Sequence, residues 1–572
     1  MDNPRRSGET REGMAGRAAN SPAQDGRMVP ALAISRGDPG PLSSTPVTDP
    51  DRRRELGLLV VLLLAAVGIR VWHLTHTEVA ARDSIGYIRY AWQLRHHPWA
   101  DVIRKSEPHP GYPLAILAVS EVVRRAVPGP ECITMQLSAQ LANALAGVLL
   151  VVPMFYLGRE LFNRAVGFWA ALLFQCLPAS GRVLSDGLSE GLFLLFAAAA
   201  LASAVRALRR RTVTGFALTG LFAGLSYLTR PEGALTVAAT GLVLLGAQAV
   251  PAWRRSWRRT LVGAAGLGLA AVLVAGPFIA VTQRFTTKPT AHRVLEAAGF
   301  RQMDEPTPEV RSSRADDRHP LLATLAIWQP DPDAGGPERT RWGLFALIME
   351  LAKATYYIGW LPALGGLWWS RDRLRQVPGA WVVLLVFVGL AAILWRMAVV
   401  VGYLSDRHTL LLLLCIIYWS AAGLLFVGGR LAALLARFGA PVDGLAPGML
   451  VLALIGAALP KTLEPLHANR SGFRQAGLWL AEHAAPTDPV IDPYYWSHYY
   501  AGRVFTEGAA PAVPPGHQSV RYVVLERGAS EHVRLRLLPE AERLKDQGRI
   551  VYRWSGRRPR GRAEIFIYAV PP

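Results

Sequence analysis

Asp83 stands in a polar run, Arg82-Asp83-Ser84, just beyond an apolar stretch from Gly57 to Leu74, with Tyr87 and Tyr90 following. A carboxylate placed there can take a proton from a hydroxyl at a membrane surface, the task of a general base. The position suits an acidic helix cap equally well, because a helix is expected to begin near Ser84. Glu107, His109 and the run Pro110-Gly111-Tyr112-Pro113 come next. Asp83, Glu107 and His109 offer the atoms a divalent cation would take, although their spacing does not demand one. His109 also reads as a surface residue in the turn before Pro110.

A second set of residues suits anions. Arg230 and Glu232 end the stretch Gly224-Leu225-Ser226-Tyr227-Leu228-Thr229, and Arg407 lies in Ser405-Asp406-Arg407-His408. Asp186 and Glu190 flank Gly187-Leu188-Ser189. Arginine is uncommon in the non-cytoplasmic loops of membrane proteins. Its planar guanidinium donates two parallel hydrogen bonds to phosphate. Helix ends carrying these groups around one cavity would suit a lipid-linked phosphate. The structural alternatives are arginines that snorkel to headgroups and acids, Asp186 and Glu190, that merely neutralise Arg230 or Arg407.

The elements that must position these residues are membrane spans. The chain has 572 residues, 51% of them hydrophobic and 18% charged, with a mean hydropathy of +0.23. That profile is a polytopic membrane protein carrying a soluble part. A span needs about twenty mostly apolar residues. The pattern predicts about eleven: 56–74, 133–157, 165–181, 186–205, 215–229, 233–251, 261–282, 343–369, 379–400, 408–428 and 446–460. Basic clusters at Arg52–Arg54, Arg159–Arg164, Arg206–Arg211, Trp253–Arg259, Arg371–Arg375 and Arg430–Arg437 fall on one side if 112–127 does not cross. The expected organisation is a disordered cytoplasmic tail (1–54), a membrane domain (55–460) and a non-cytoplasmic soluble α/β domain (461–572). The first outer loop is 75–132, with 112–127 as an interfacial helix, and the large outer loop is 284–342. The first span reads as a signal anchor, because it begins too late for a cleaved signal peptide.

Composition excludes several classes. The net charge is +20, of which the first 54 residues carry +2 and residues 461–572 carry +5. The remainder is spread between spans, so it reports topology and not a nucleic-acid patch. Cys132, Cys176 and Cys415 are too few and too scattered for a disulfide framework or a paired zinc site. Nothing in the sequence requires a cofactor; a divalent metal is left open. Within 461–572, Phe473–His483 and Glu531–Gln547 have helical spacing, and Pro489–Asp492, Tyr522–Leu525 and Ile565–Val570 read as strands. Trp496, His498, Tyr499 and Tyr500 are either sugar-stacking groups or a packed aromatic edge.

Five stretches, in this order, carry a resemblance: Arg82-Asp83-Ser84-Ile85-Gly86-Tyr87, His109-Pro110-Gly111-Tyr112-Pro113-Leu114, Leu157-Gly158-Arg159-Glu160-Leu161-Phe162, Gly220–Arg230 and Asp406-Arg407-His408. Over residues 56–500 or so the chain resembles the GT-C superfamily of polytopic glycosyltransferases, closest to the branch of protein O-mannosyltransferases and lipid A aminoarabinose transferases. The resemblance implies a mainly α GT-C-like transmembrane bundle in the plasma (inner) membrane. It implies a polyprenyl-phosphate sugar donor and inverting transfer to a protein, lipid or glycan acceptor on the non-cytoplasmic face. By the same match Asp83 is the base; in the mechanism this suggests, Arg407 with Arg230 would bind the donor phosphate. Glu107, His109, Tyr112, Asp186 and Glu190 are further substrate or structural candidates. Two departures stand out: Ser84 follows Asp83 where many members have a second acid, and His408 follows Arg407 where tyrosine is common. A polytopic transporter or lipid flippase is the competing class, and a non-catalytic lipid-sugar binding protein is a third. No internal repeat of the kind transporters use is evident.

Overall fold

The structure is a computed structural model. It describes residues 49–254, 256–289, 293–294, 337–438, 446–506, 519–527, 537–558 and 561–571. The expected tail, up to residue 48, and most of the loop at 284–342 lie outside the described residues.

The first membrane helix, α1 (Asp49–His76), leads into three helices outside the spans: α2 (Arg82–His96), α3 (Trp99–Lys105) and α4 (Gly111–Ala126). The bundle continues through α5 (Glu131–Leu149), α6 (Val151–Leu161), α7 (Arg164–Cys176), α8 (Pro178–Val183), α9 (Glu190–Arg210), α10 (Val213–Thr229), α11 (Ala234–Gly246) and α12 (Trp257–Thr282). After the loop come α13 (Pro337–Ala354), α14 (Trp360–Trp369), α15 (Arg371–Gln376), α16 (Pro378–Val401), α17 (Leu410–Arg437) and α18 (Met449–Thr462).

Among the described residues six helical stretches are long and apolar enough to cross a membrane, and four shorter apolar helices accompany them. The span expected at 343–369 is instead two helices, α13 and α14, separated where Tyr356 and Tyr357 take φ of 53° and 63°. Left-handed backbone at two tyrosines cannot continue a helix. The expected helix at 112–127 is α4, which buries Tyr112, Ile116 and Val123 against its neighbours.

Burial separates the spans by role. The apolar window of α12 is 11% buried, with Leu269, Val272 and Leu273 turned outward, so this helix faces lipid. The stretch Asp406–Arg437 is 78% buried and runs through the middle of the bundle. Two charged groups of α1 are held by polar partners. Glu55 on α1 meets Arg159 at 2.8 Å and Arg164 at 2.6 Å, tying α1 to the α6–α7 turn. Deep in α1, Arg70 is 2% exposed and donates to Gly181 O at 2.6 Å, to Ser185 Oγ at 2.8 Å and to Gln175. Those bonds hold α1 against the segment that leads to α9.

The C-terminal part contains α19 (Ser471–His483), α20 (Trp496–Tyr500), α21 (Leu538–Lys545) and four strands. The strands are β1 (Val490–Ile491), β2 (Arg521–Glu526), β3 (Arg549–Arg558) and β4 (Gly561–Val570), in sheet order β1-β2-β4-β3. β1 and β2 are parallel; the other pairs are antiparallel. β3 is absent from the sequence reading, because arginines at 549, 553, 557 and 558 mask its alternation. The expected helix at Glu531–Gln547 is shorter; residues 531–536 lie outside the described residues.

This sheet shares a core with the segment that follows α1. Phe473, Tyr500, Val523 and Ile567 belong to one buried cluster with Ile85, Ile88, Tyr112 and Met135. The packing joins the C-terminal residues to α2, α4 and α5.

Candidate active site

α2 begins at Arg82, with Ala81 as its cap and no side-chain capping bond. Asp83 is therefore one residue inside the helix and does not serve as the cap. The peptide before it is clamped by the C-terminal part: Ala80 N donates to Tyr500 Oη at 2.8 Å, and Trp496 Nε1 donates to Ala80 O at 2.9 Å. Ile85 and Ile88 bury the inner face of the helix, which leaves the Asp83 carboxylate half-exposed on the outer one.

That carboxylate meets Arg407: Oδ2 lies 2.5 Å from Nη2. Arg407 sits on a 3₁₀ turn, Asp406–Thr409, that opens α17. The turn is closed by a capping box in which Ser405 and the His408 ring bond reciprocally, and Thr409 Oγ1 donates to Asp406 O at 2.7 Å. His408, which departs from the tyrosine expected by resemblance, thus has a local job: its Nδ1 accepts from Ser405 N at 3.2 Å.

Arg230 follows α10 directly. Its Nη1 is 2.7 Å from Glu190 Oε1 and its Nη2 3.4 Å from Glu232 Oε1, with the Phe193 ring beneath it at 5.6 Å. Glu190 opens α9 and is held there by Asn143. Asn143 Oδ1 accepts from Gly191 N at 2.7 Å, and its amide donates to Val183 O and Asp186 O at 2.8 Å. Glu190, Phe193, Arg230, Glu232, Arg407 and His408 enclose a space of ≈ 10 Å³, the room of one water. Three buried atoms around it, Arg230 Nε, Glu190 Oε2 and Glu232 Oε2, find no hydrogen-bond partner among the described residues. Such orphans are unusual in a folded chain and mark a place that a polar ligand would complete.

Lys288 adds a cation that sequence reasoning missed. It is within electrostatic reach of Arg230, Glu232, Glu190 and Arg407. Burial, with the Arg230 charge, pulls its ammonium down to about 8, against the opposing pull of Glu232 and Glu190. A chain of contacts from the α3–α4 connection sets its position. His109 Nδ1 donates to Tyr227 O at 2.7 Å, so Nε2 accepts from Thr286 Oγ1 at 3.0 Å, and Lys288 N donates to the same hydroxyl at 3.2 Å. The His109 ring is buried against Phe278 and Tyr227. Burial and the Lys288 charge hold it down at about 4, so it is neutral at pH 7. Nearby, a Cβ on Gly111 would stand 2.7 Å from Leu228 O, so only glycine lets α4 approach the end of α10 this closely.

The other expected site residues fall elsewhere. Glu107 is exposed, and its main-chain oxygen accepts from Thr287 Oγ1 at 2.7 Å. His109 is a buried packing residue and not part of a surface turn. Among the described residues no three carboxylate, histidine or cysteine side chains group around a cation position, so Asp83, Glu107 and His109 do not converge. Tyr112 is buried and donates to Ala139 O at 2.8 Å. Asp186 pairs with neither arginine; its Oδ2 lies 2.6 Å from His467 Nε2. Burial pushes the Asp186 carboxyl up, but His467 and the N–H of Gly187 outweigh it and hold the group down. Trp496, Tyr499 and Tyr500 are buried in the shared core, with Tyr499 Oη donating to Cys132 O at 2.6 Å and Tyr500 Oη to Gln136 Oε1 at 2.7 Å. They are the packed aromatic edge, while His498 remains half-buried.

Comparisons extend this geometry. The family model described as dolichyl-phosphate-mannose-protein mannosyltransferase matches residues 134–279. A search of curated proteins by sequence finds no match. Two solved structures share the architecture. ArnT from Cupriavidus metallidurans, bound to undecaprenyl phosphate, is 13% identical with a TM-score of 0.52, covering 89% of this chain and 98% of its own. The Archaeoglobus fulgidus oligosaccharyltransferase in its apo form is 16% identical with a TM-score of 0.50, covering 90% of this chain and 75% of its own. The chain has the GT-C fold. Among the described residues six helices are long and apolar enough to cross a membrane, which together with this fold supports an integral membrane protein. The segment matched by the family model, 134–279, runs from α5 to α12 and carries Glu190, Arg230 and Glu232.

Proposed function

We propose that this protein transfers a sugar from a polyprenyl-phosphate donor to an acceptor hydroxyl, with inversion, on the non-cytoplasmic face of the plasma membrane. The observation that carries the reading is the Asp83–Arg407 pair, which puts a carboxylate beside a cation cluster containing Arg230 and Lys288. A GT-C neighbour that holds undecaprenyl phosphate supports the donor class.

In this reading Arg407, Arg230 and Lys288 hold the donor phosphate and stabilise it as it leaves with the electrons of the C1–O bond. Asp83 takes the acceptor proton while the acceptor oxygen forms its bond to C1 from the opposite face. The space between the arginines has room for about one water, so side chains must part before a phosphate enters. Arg407 is the side chain that turns: its exchange from Asp83 to the phosphate frees the carboxylate. While the guanidinium occupies the carboxylate, the acceptor hydroxyl cannot bond to it, so the base is available only once the donor is in place. This order protects the donor from idle hydrolysis.

The test uses purified protein, a labelled polyprenyl-phosphate sugar and a crude envelope acceptor fraction. Transfer by the wild type that is lost in Asp83→Asn, with folding kept, supports the reading. Unchanged transfer in that variant removes Asp83 as the base, and unchanged donor-lipid binding in Arg407→Ala removes the phosphate assignment.

A further inference from the structure

Beside Asp83, a cavity of ≈ 440 Å³ opens between α2 and the C-terminal part. Arg82, Asp83, Ile85 and Gly86 form one wall, and Asp492, Pro493, Tyr495 and Leu537 the other. A Cβ on Gly86 would meet nothing within 4 Å, so the wall is open at that point. The volume falls in the range of small-molecule sites.

The far wall is built with care. Asp492 is buried and accepts from three main-chain donors: Tyr494 N at 2.9 Å, Ser497 N at 2.6 Å and His498 N at 3.2 Å. This fixes the turn that carries Tyr495, which takes φ 70°, a left-handed conformation rare for an aromatic residue. The consequence is directional. Residues 496, 499 and 500 turn into the core, whereas the Tyr495 ring lines the cavity and stacks on His498 at 5.0 Å and 26°. A stacked, half-buried aromatic pair faces a rim of charged side chains across the cavity.

We infer that this cavity is an acceptor subsite for a carbohydrate, whose ring lies on Tyr495 and whose hydroxyl is presented to Asp83; the acceptor role rests on the function proposed above. The apolar face of a sugar ring suits an aromatic platform, and its hydroxyls suit Arg82 and Asp83. An acyl chain would meet the charges of Arg82 and Asp83 along one wall. A peptide is the other occupant to be tested.

The experiment is saturation-transfer NMR on the full chain in lipid nanodiscs. The probes are methyl hexopyranosides, methyl pentofuranosides, a disaccharide panel and a serine/threonine hexapeptide. Sugar ring protons should receive saturation from the wild type, bind roughly tenfold more weakly in Tyr495→Ala, and recover in Tyr495→Phe. Undecaprenyl-phosphate binding, equal in all three, reports an intact fold. Unchanged sugar saturation in Tyr495→Ala, no sugar saturation in the wild type, or saturation of the peptide alone each overturns the inference. A wild type that transfers sugar from no polyprenyl-phosphate donor sinks the transferase reading instead, and leaves the contrast at Tyr495 to decide the platform.

Discussion

Asp83 and Arg407 come from opposite ends of the membrane domain and meet through Oδ2 and Nη2 at 2.5 Å. One is held by a helix that the C-terminal part clamps; the other sits on a capped turn at the mouth of the most buried span. The pair is partly exposed, so its own contribution to stability is small. Its interest lies in what each partner does when the other is removed.

Asp83→Asn should lower sugar transfer by roughly 10²–10⁴-fold while leaving undecaprenyl-phosphate binding equal or tighter, because Arg407 loses its competitor. Arg407→Ala should weaken lipid-phosphate binding. A transfer assay and a lipid-binding assay on the same preparations separate the two effects.

Glu190→Ala should destabilise the protein by roughly 3 kcal/mol, because it strips the buried Arg230 of its nearest carboxylate. Glu232, at 3.4 Å, offsets part of the loss. Thermal unfolding in detergent measures the difference; a midpoint equal to that of the wild type contradicts it.

Lys288 sits at about 8, so its charge is present below that value and is lost as pH rises through it. Donor-phosphate affinity should therefore fall on going from pH 7 to pH 9, and a bound phosphate moves the midpoint upward. Lys288→Arg should flatten the fall, since arginine stays charged throughout. Lys288→Gln should show the weak, high-pH affinity at every pH.

His109 is neutral in the folded protein, held at about 4 against an ordinary value near 6.5. Between these values the unfolded chain binds a proton that the folded chain does not. The stability it contributes is thus complete above about 6.5 and is lost as pH falls toward 4. His109→Gln should remove that slope from a plot of unfolding midpoint against pH. It should also weaken donor binding, by releasing the Thr286–Lys288 turn.

The sequence by itself determined the membrane bundle, the basic clusters between its spans and the order of the polar motifs that end them. These follow from local causes: apolar runs long enough to cross lipid, and charge placed beside them. Asp83, Arg230 and Arg407 were legible as candidates because charged groups at span ends are conspicuous. Tertiary structure alone decided their partners. Asp186 takes His467 and not an arginine, His109 is buried beneath Lys288, and Tyr495 and not Trp496 faces the cavity. The reason is physical. Each of these outcomes depends on an element far away in the chain, or on the backbone of a five-residue helix too short to show a period. Periodicity reports which face of a long element is apolar; it does not report which distant side chain waits there.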